Sequence, residues 1–198
     1  MSEFRTPDRF DGVIFDMDGT LIEPLIDFTA VRAELGIPRS TGILEGLEAM
    51  DPAEAEPRRR RLLEHELTAA READLLPGAA ETLATIRRAG LKTALLTRSA
   101  RQAMETVLGR FGLRFDLAWS RENGPIKPEP DGVLRACRAL GVAPGRTACV
   151  GDFRYDLVAA NAAGAVSILL NRRDECDFAD LADHVIGELA DLPGVLGI

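Results

Sequence analysis

No apolar run in the chain approaches the ~20 residues that a membrane-spanning helix needs. The first ten residues carry charges where a secretory leader would have an apolar stretch. A soluble, intracellular and cytoplasmic protein is therefore expected. Positive charge is scarce: 24 Lys and Arg stand against 32 Asp and Glu, for a net charge of −8 and an isoelectric point near 4.9. That balance argues against a nucleic-acid surface, whose affinity rests on Lys and Arg neutralising phosphates, and a small anionic substrate would need a local positive site. The three cysteines, Cys137, Cys149 and Cys176, are odd in number and show no metal-ligand spacing, so they read as reduced, structural thiols. The two histidines, His65 in a charged helical stretch and His184 in a tail strand, read as surface or packed imidazoles. Internal repeats and low-complexity segments are absent. What is present is ordinary globular composition, 46% hydrophobic and 28% charged over 198 residues, enough for a sizeable core and a small accessory module.

From Gly78 onward, helix-like and strand-like segments alternate at short intervals, the pattern of a parallel sheet with crossover helices. A helix through Leu83 and Ile86 stops at Gly90. Strands are expected over 93–96, 117–119, 147–150, 166–170 and 184–186. Between them fall a helix N-capped by Ser99 with Ala103, Met104 and Val107 on its apolar face, and helices near 128–140 and 155–163. Residues 21–76 differ, containing no convincing strand. They read as a helical insertion with one helix capped by Asp27 and ending at Gly36, a second over 44–50, and a third opened by Asp51 and Pro52 and running toward Ala73. Pro57 is expected to delay the start of this third helix. Its charged stretch, Arg58 to Arg61 with Glu64 and Glu66, reads as a solvated face with Arg60 and Glu64 paired four apart.

The chemistry is concentrated at strand ends. Val13, Ile14 and Phe15 form an apolar run that reads as a buried parallel strand, and such strands deliver functional groups at their carboxyl ends. Asp16 and Asp18 follow at once, then Gly19 and Thr20. Two carboxylates this close raise each other's pKa unless a cation or a proton lies between them, so the pair invites a divalent metal. Taken alone, Asp-x-Asp before Gly is equally a turn. Three further strand ends carry polar groups: Thr97 and Arg98 after the second strand, Lys127 before Pro128 after the third, and Asp152 and Asp156 after the fourth. Singly, Thr97 reads as a helix cap, Lys127 as an exposed loop lysine, and Asp156 as a surface acid four residues after Asp152.

All four motifs in this order resemble the haloacid dehalogenase superfamily in its phosphatase branch, including phosphoglycolate phosphatase-like and beta-phosphoglucomutase-like members. The resemblance covers nearly the whole chain. It implies an α/β fold, a Rossmann-like parallel sheet core formed by residues 1–20 and 77–198, with a small helical cap, residues 21–76, inserted after the first strand. It implies Mg²⁺-dependent hydrolysis of a small phosphomonoester through an aspartyl-phosphate. Asp16 would be the nucleophile and Asp18 the general acid and base. Thr97 and Lys127 would hold the phosphate, with Arg98 reaching either an anionic group of the substrate or solvent. Asp16, Asp18 and Asp152 would hold the metal, Asp18 through its backbone carbonyl, with Asp156 behind them or on a metal-bound water. The partner would be a small phosphorylated metabolite.

Three positions depart from common family patterns: Phe153 where Ser or Thr is frequent, Arg98 where Asn is frequent, and Pro24 after Glu23 where Asp-Ser is common. None removes a catalytic group, but they weaken any transfer of substrate identity. A phosphomutase using the same core is an alternative. A metal-free dehalogenase is disfavoured by Asp18, and a phospho-accepting signalling module by the insertion. No motif reports on oligomeric state or regulation.

Overall fold

The computed structural model describes residues 6–172 and 176–198. Residues 1–5, part of the charged start noted above, and 173–175 lie outside the described residues. Six strands form one parallel sheet: β1 (Gly12–Phe15), β2 (Lys92–Leu96), β3 (Leu117–Trp119), β4 (Thr147–Gly151), β5 (Val166–Leu170) and β6 (His184–Ile186). Their spatial order is β3-β2-β1-β4-β5-β6. Among the described residues, eight α-helices accompany them: α1 (Phe28–Glu34), α2 (Ile43–Glu48), α3 (Pro52–Glu72), α4 (Ala79–Arg88), α5 (Arg101–Phe111), α6 (Asp131–Leu140), α7 (Arg154–Ala163) and α8 (Leu192–Leu196). The fold is α/β and Rossmann-like, as the alternation of segments implied. No helix among the described residues is long and apolar enough to cross a membrane.

The sheet is covered on both faces, which is why β1, β4 and β5 are apolar or small at every position and buried throughout. Successive side chains alternate between two cores. Val13, Phe15, Leu95, Val150 and Ile168 pack on one face. Ile14, Ala94, Leu96 and Cys149 pack on the other, against Val133 and Ala136 of α6 and Ala159 and Ala160 of α7. Cys137 and Cys149 are buried in this second core, in keeping with structural thiols.

Chain order reverses between β1 and β4, where a doubly wound sheet opens a crevice at its carboxyl edge. Phe15 is level with Leu95 on one side and Val150 on the other. Asp16, Thr97 and Asp152 therefore leave the sheet at the same edge.

The helices α1, α2 and α3 lie between β1 and α4 and share a small core of Val31, Leu35, Ile37, Ile43, Leu47 and Leu62. Its seam with the rest is continuous, since Leu21, Ile22, Ala70, Ala73 and Leu76 pack in the main core. The two connecting segments pair through their backbones, Glu23 N to Asp74 O and Leu76 N to Leu21 O, each 2.9 Å.

Three local expectations fail here. Pro57 does not delay α3, which starts at Pro52 behind an Asp51 cap and runs through Pro57. Pro57 deprives α3 of the one N–H that would have reached the Ala53 carbonyl, and the helix continues past it without a break. Arg60 pairs with Glu56 rather than Glu64, and Glu64 with Arg61. Glu66 is not on the solvated face at all: it is 6% exposed and packed toward the sheet domain.

Candidate active site

Immediately past β1 the chain turns tightly, with Leu21 N donating to Met17 O at 2.8 Å. Gly19 has φ +82°, and a side chain there would run into the Asp152 carboxylate, so this turn requires glycine twice over. The turn brings the first motif against the fourth. Carboxylate oxygens of Asp16, Asp152 and Asp156 lie within 4.8 Å of one another. Lys127 reaches in from the loop before α6, 7% exposed, and donates to Asp16 Oδ1 at 2.5 Å and Asp156 Oδ1 at 2.6 Å. Asp156 is held from behind, accepting the Phe153 N–H at 3.2 Å near the start of α7.

Burial and mutual repulsion set the protonation of this group. Burial lifts the Asp16 pKa well above the usual carboxylate range, with Lys127 opposing and Asp156, Asp152 and Asp18 adding to the rise. Burial, then Asp156, pushes Asp152 up to about 7. Burial would lower the Lys127 pKa, but the carboxylates of Asp156 and Asp16 outweigh it and raise it. The cluster thus holds more negative charge than Lys127 alone can balance.

Asp18 is separate from that cluster, although its carboxylate type suggested membership. Its Oδ2 accepts the Ser99 hydroxyl at 2.7 Å. Burial raises its pKa, and the Ser99 hydrogen bond opposes the rise. Ser99 was expected to cap α5; the cap position belongs to Ala100, and the Ser99 side chain is committed to Asp18 instead. Thr97 Oγ1 accepts the Ser99 N–H at 3.0 Å, so the loop after β2 is held in place by its own phosphate-site candidate.

Arg98 is partly buried and already partnered. It donates to both Glu45 carboxylate oxygens, at 2.8 and 3.0 Å, and to the Lys127 carbonyl. Its guanidinium lies 4.6 Å from the centre of the Tyr155 ring. Arg172 makes a two-nitrogen fork with Glu23, at 2.9 and 3.0 Å. Phe153, largely exposed, stands edge-on to Tyr155 and Phe178 beside them.

Sequence reasoning missed Glu45, Glu23 and Glu66 as site-forming residues. Glu66 on α3 pairs with Arg121 and accepts the Ala100 N–H at 3.3 Å, and burial raises its pKa. It ties the helical insertion to the loop that carries Thr97 and Ser99. The local signal was absent, because an acid in a charged helical run looks alike whether it faces water or a partner loop. Next to this contact a cleft of about 930 Å³ opens between the insertion and the sheet domain, lined by Leu44, Leu47, Leu62, Arg101 and Ile126 among others, and by none of the aspartates named above.

Residues 10–164 match the family model for haloacid dehalogenase-like hydrolases. The chain belongs to the haloacid dehalogenase-like hydrolases. Among its relatives, a haloacid dehalogenase-like hydrolase domain-containing protein of Arabidopsis thaliana is 33% identical over 175 residues, 82% of this chain and 71% of that protein. The N-acetylmuramic acid 6-phosphate phosphatase of Pseudomonas aeruginosa is 31% identical over 182 residues, 79% of each chain. The crystal structure of CbbY from Rhodobacter sphaeroides in complex with phosphate superposes with a TM-score of 0.76 at 26% identity, covering 96% of this chain and all of that one. As a haloacid dehalogenase-like hydrolase, the chain is an enzyme.

Proposed function

We propose that the protein is a Mg²⁺-dependent phosphatase that hydrolyses a small phosphomonoester through an aspartyl-phosphate on Asp16. The observation that carries this reading is the buried contact of Lys127 with Asp16 and Asp156 beside Asp152, with Asp18 two residues away on a different hydrogen bond. Relatives named as phosphatases support it.

Asp16 attacks phosphorus, and the bond from phosphorus to the leaving oxygen breaks. Asp18 protonates that oxygen, and burial, by raising its pKa, favours the protonated form this step uses. Asp18 then takes a proton from water as the water attacks the phosphoryl group, releasing Asp16 and inorganic phosphate. Ser99 holds the Asp18 carboxylate in one orientation through both steps. Burial works against an ionised nucleophile at Asp16, and the Lys127 ammonium counters it. Lys127 and Thr97 bind the transferring group.

The donor set fits Mg²⁺. Asp16 and Asp152 offer hard carboxylate oxygens, Asp18 a backbone carbonyl, and Asp156 supports from behind; burial, with Asp156 adding to it, raises the Asp152 pKa, and a bound cation would oppose both. A bound Mg²⁺ would neutralise the phosphoryl oxygens facing these carboxylates. Residues 21–76 form a lid whose paired connections at Glu23–Asp74 and Leu21–Leu76 act as its hinge.

A panel of small phosphomonoesters, assayed for phosphate release with Mg²⁺ and after chelation, tests the reading. Release should vanish with chelator and return with Mg²⁺. Full activity after exhaustive chelation rules the metal out, and isomer in place of free phosphate from a hexose phosphate would identify a mutase.

A further inference from the structure

Both arginines at the rim of the site are already engaged by carboxylates of the insertion and its connection. Arg98 follows Thr97 directly, touches the Lys127 carbonyl, and is held over the Tyr155 ring. It bridges α2 of the insertion and the loop that carries Lys127, a residue of the proposed phosphate site. Glu45 takes the Arg98 Nη2 with both of its carboxylate oxygens and the Lys127 carbonyl takes Nη1, so the pair of outer nitrogens through which arginine grips a carboxylate or phosphate is already engaged. Arg172, close enough to Asp152 to feel its charge, is engaged by Glu23 through a two-nitrogen fork, Nη1 to Oε2 and Nη2 to Oε1.

We propose that Glu45 and Glu23 determine specificity by occupying the rim arginines, so that the site selects phosphomonoesters with a neutral, hydroxyl-bearing leaving group and rejects those with a second anionic group. This rests on the phosphatase reading of the same site. The physical reason is displacement. An incoming carboxylate must break a paired fork and leave Glu45 or Glu23 facing it, in a region that Asp16, Asp18, Asp152 and Asp156 already make negative. A hydroxyl meets no such barrier, because the oxygens of Glu45 and Glu23 accept a hydrogen bond without losing their arginines. The exposed Phe153 ring adds apolar surface for the carbon chain of a polyol.

The decisive measurement is binding of a matched pair of non-hydrolysable phosphonates, phosphonopropionate with its carboxylate and hydroxypropylphosphonate with its hydroxyl. Titration calorimetry with Mg²⁺ present would compare the parent, Glu45→Gln, Glu23→Gln and the double variant, each with its melting temperature measured to establish folding. The parent should bind the hydroxyl compound at least as tightly as the carboxylate. Freeing Arg98 or Arg172 should shift the ratio toward the carboxylate by about tenfold or more, the worth of one charge-assisted contact. A parent that prefers phosphonopropionate, or a ratio unmoved in folded double variant, overturns the proposal. Because phosphonates are not turned over, these outcomes stand apart from failure of the phosphatase reading, which would show as no phosphate release from any monoester with Mg²⁺.

Discussion

Asp16 and Asp18 stand two residues apart, yet their surroundings assign them different chemistry. Asp16 shares Lys127 with Asp156 and faces Asp152, whereas Asp18 turns to Ser99. Asp16→Asn should leave no trappable phosphoprotein and no turnover. Asp18→Asn should still bind substrate but turn over ~10²- to 10⁴-fold more slowly, the range for general acid and base catalysis. Rapid acid quenching with labelled substrate separates the two, and a phosphorylated Asp16→Asn protein would refute the nucleophile assignment. At this scale the sequence exposed Asp16, Thr97 and Asp152, which follow apolar strands, and Lys127, which precedes a proline in the loop before α6. It did not expose Ser99 on Asp18, whose partner lies 81 residues away, nor Arg98 on Glu45, 53 residues away. Such pairs follow from how the chain returns on itself, which local spacing does not encode.

Among the elements, β1, β4, β5 and α7 were legible because burial on both faces forces continuous apolar runs and helical packing forces a period. The helical insertion was legible as helices but not as contacts. Glu66 shows why: it closes a charged stretch that includes the exposed Arg60, Arg61 and Glu64, while its own carboxylate is buried against Arg121. Removing one member of such a pair strands the other. Arg121→Ala should therefore destabilise the protein by about 3 kcal/mol near neutral pH, and Glu66→Gln by less, since the amide needs no counter-charge. Urea unfolding of both variants checks this, and equal, small losses would mean the pair is solvated. The insertion itself should govern selectivity, because the proposed catalytic groups lie outside residues 21–76. Replacing 27–73 with a short linker should retain some hydrolysis of an activated aryl phosphate while erasing discrimination among natural-sized substrates. Leu62, Ala69 and Ala70 pack on buried surface, so a cooperative melt must accompany the kinetics. A folded variant with the parent's substrate ranking would contradict the lid.

For the whole molecule, the site opposes folding unless something neutralises it. Asp152 has a pKa raised from 3.8 to about 7 by burial and then by Asp156. A carboxyl group that holds its proton more tightly in the folded chain contributes stability fully present below the unfolded value, and lost as pH rises through the folded one. In the metal-free protein this contribution should thus disappear between pH 3.8 and about 7. Its upper bound is about 4 kcal/mol, at 1.36 kcal/mol per pKa unit, and repulsion shared with Asp16 and Asp156 makes part of it common to the cluster. Mg²⁺ acts in the opposite sense, since it binds the ionised carboxylates of the folded state and stabilises that state by mass action. Thermal melts of the parent and Asp152→Asn, with chelator and with Mg²⁺, resolve the two effects. With chelator, the parent should lose stability relative to Asp152→Asn as pH rises across this window. Added Mg²⁺ should stabilise the parent more at about pH 8 than at about pH 5, and Asp152→Asn little at either. Equal stabilisation of the parent at both pH values would show that the ion binds elsewhere and that the buried carboxylates are neutralised by protons alone.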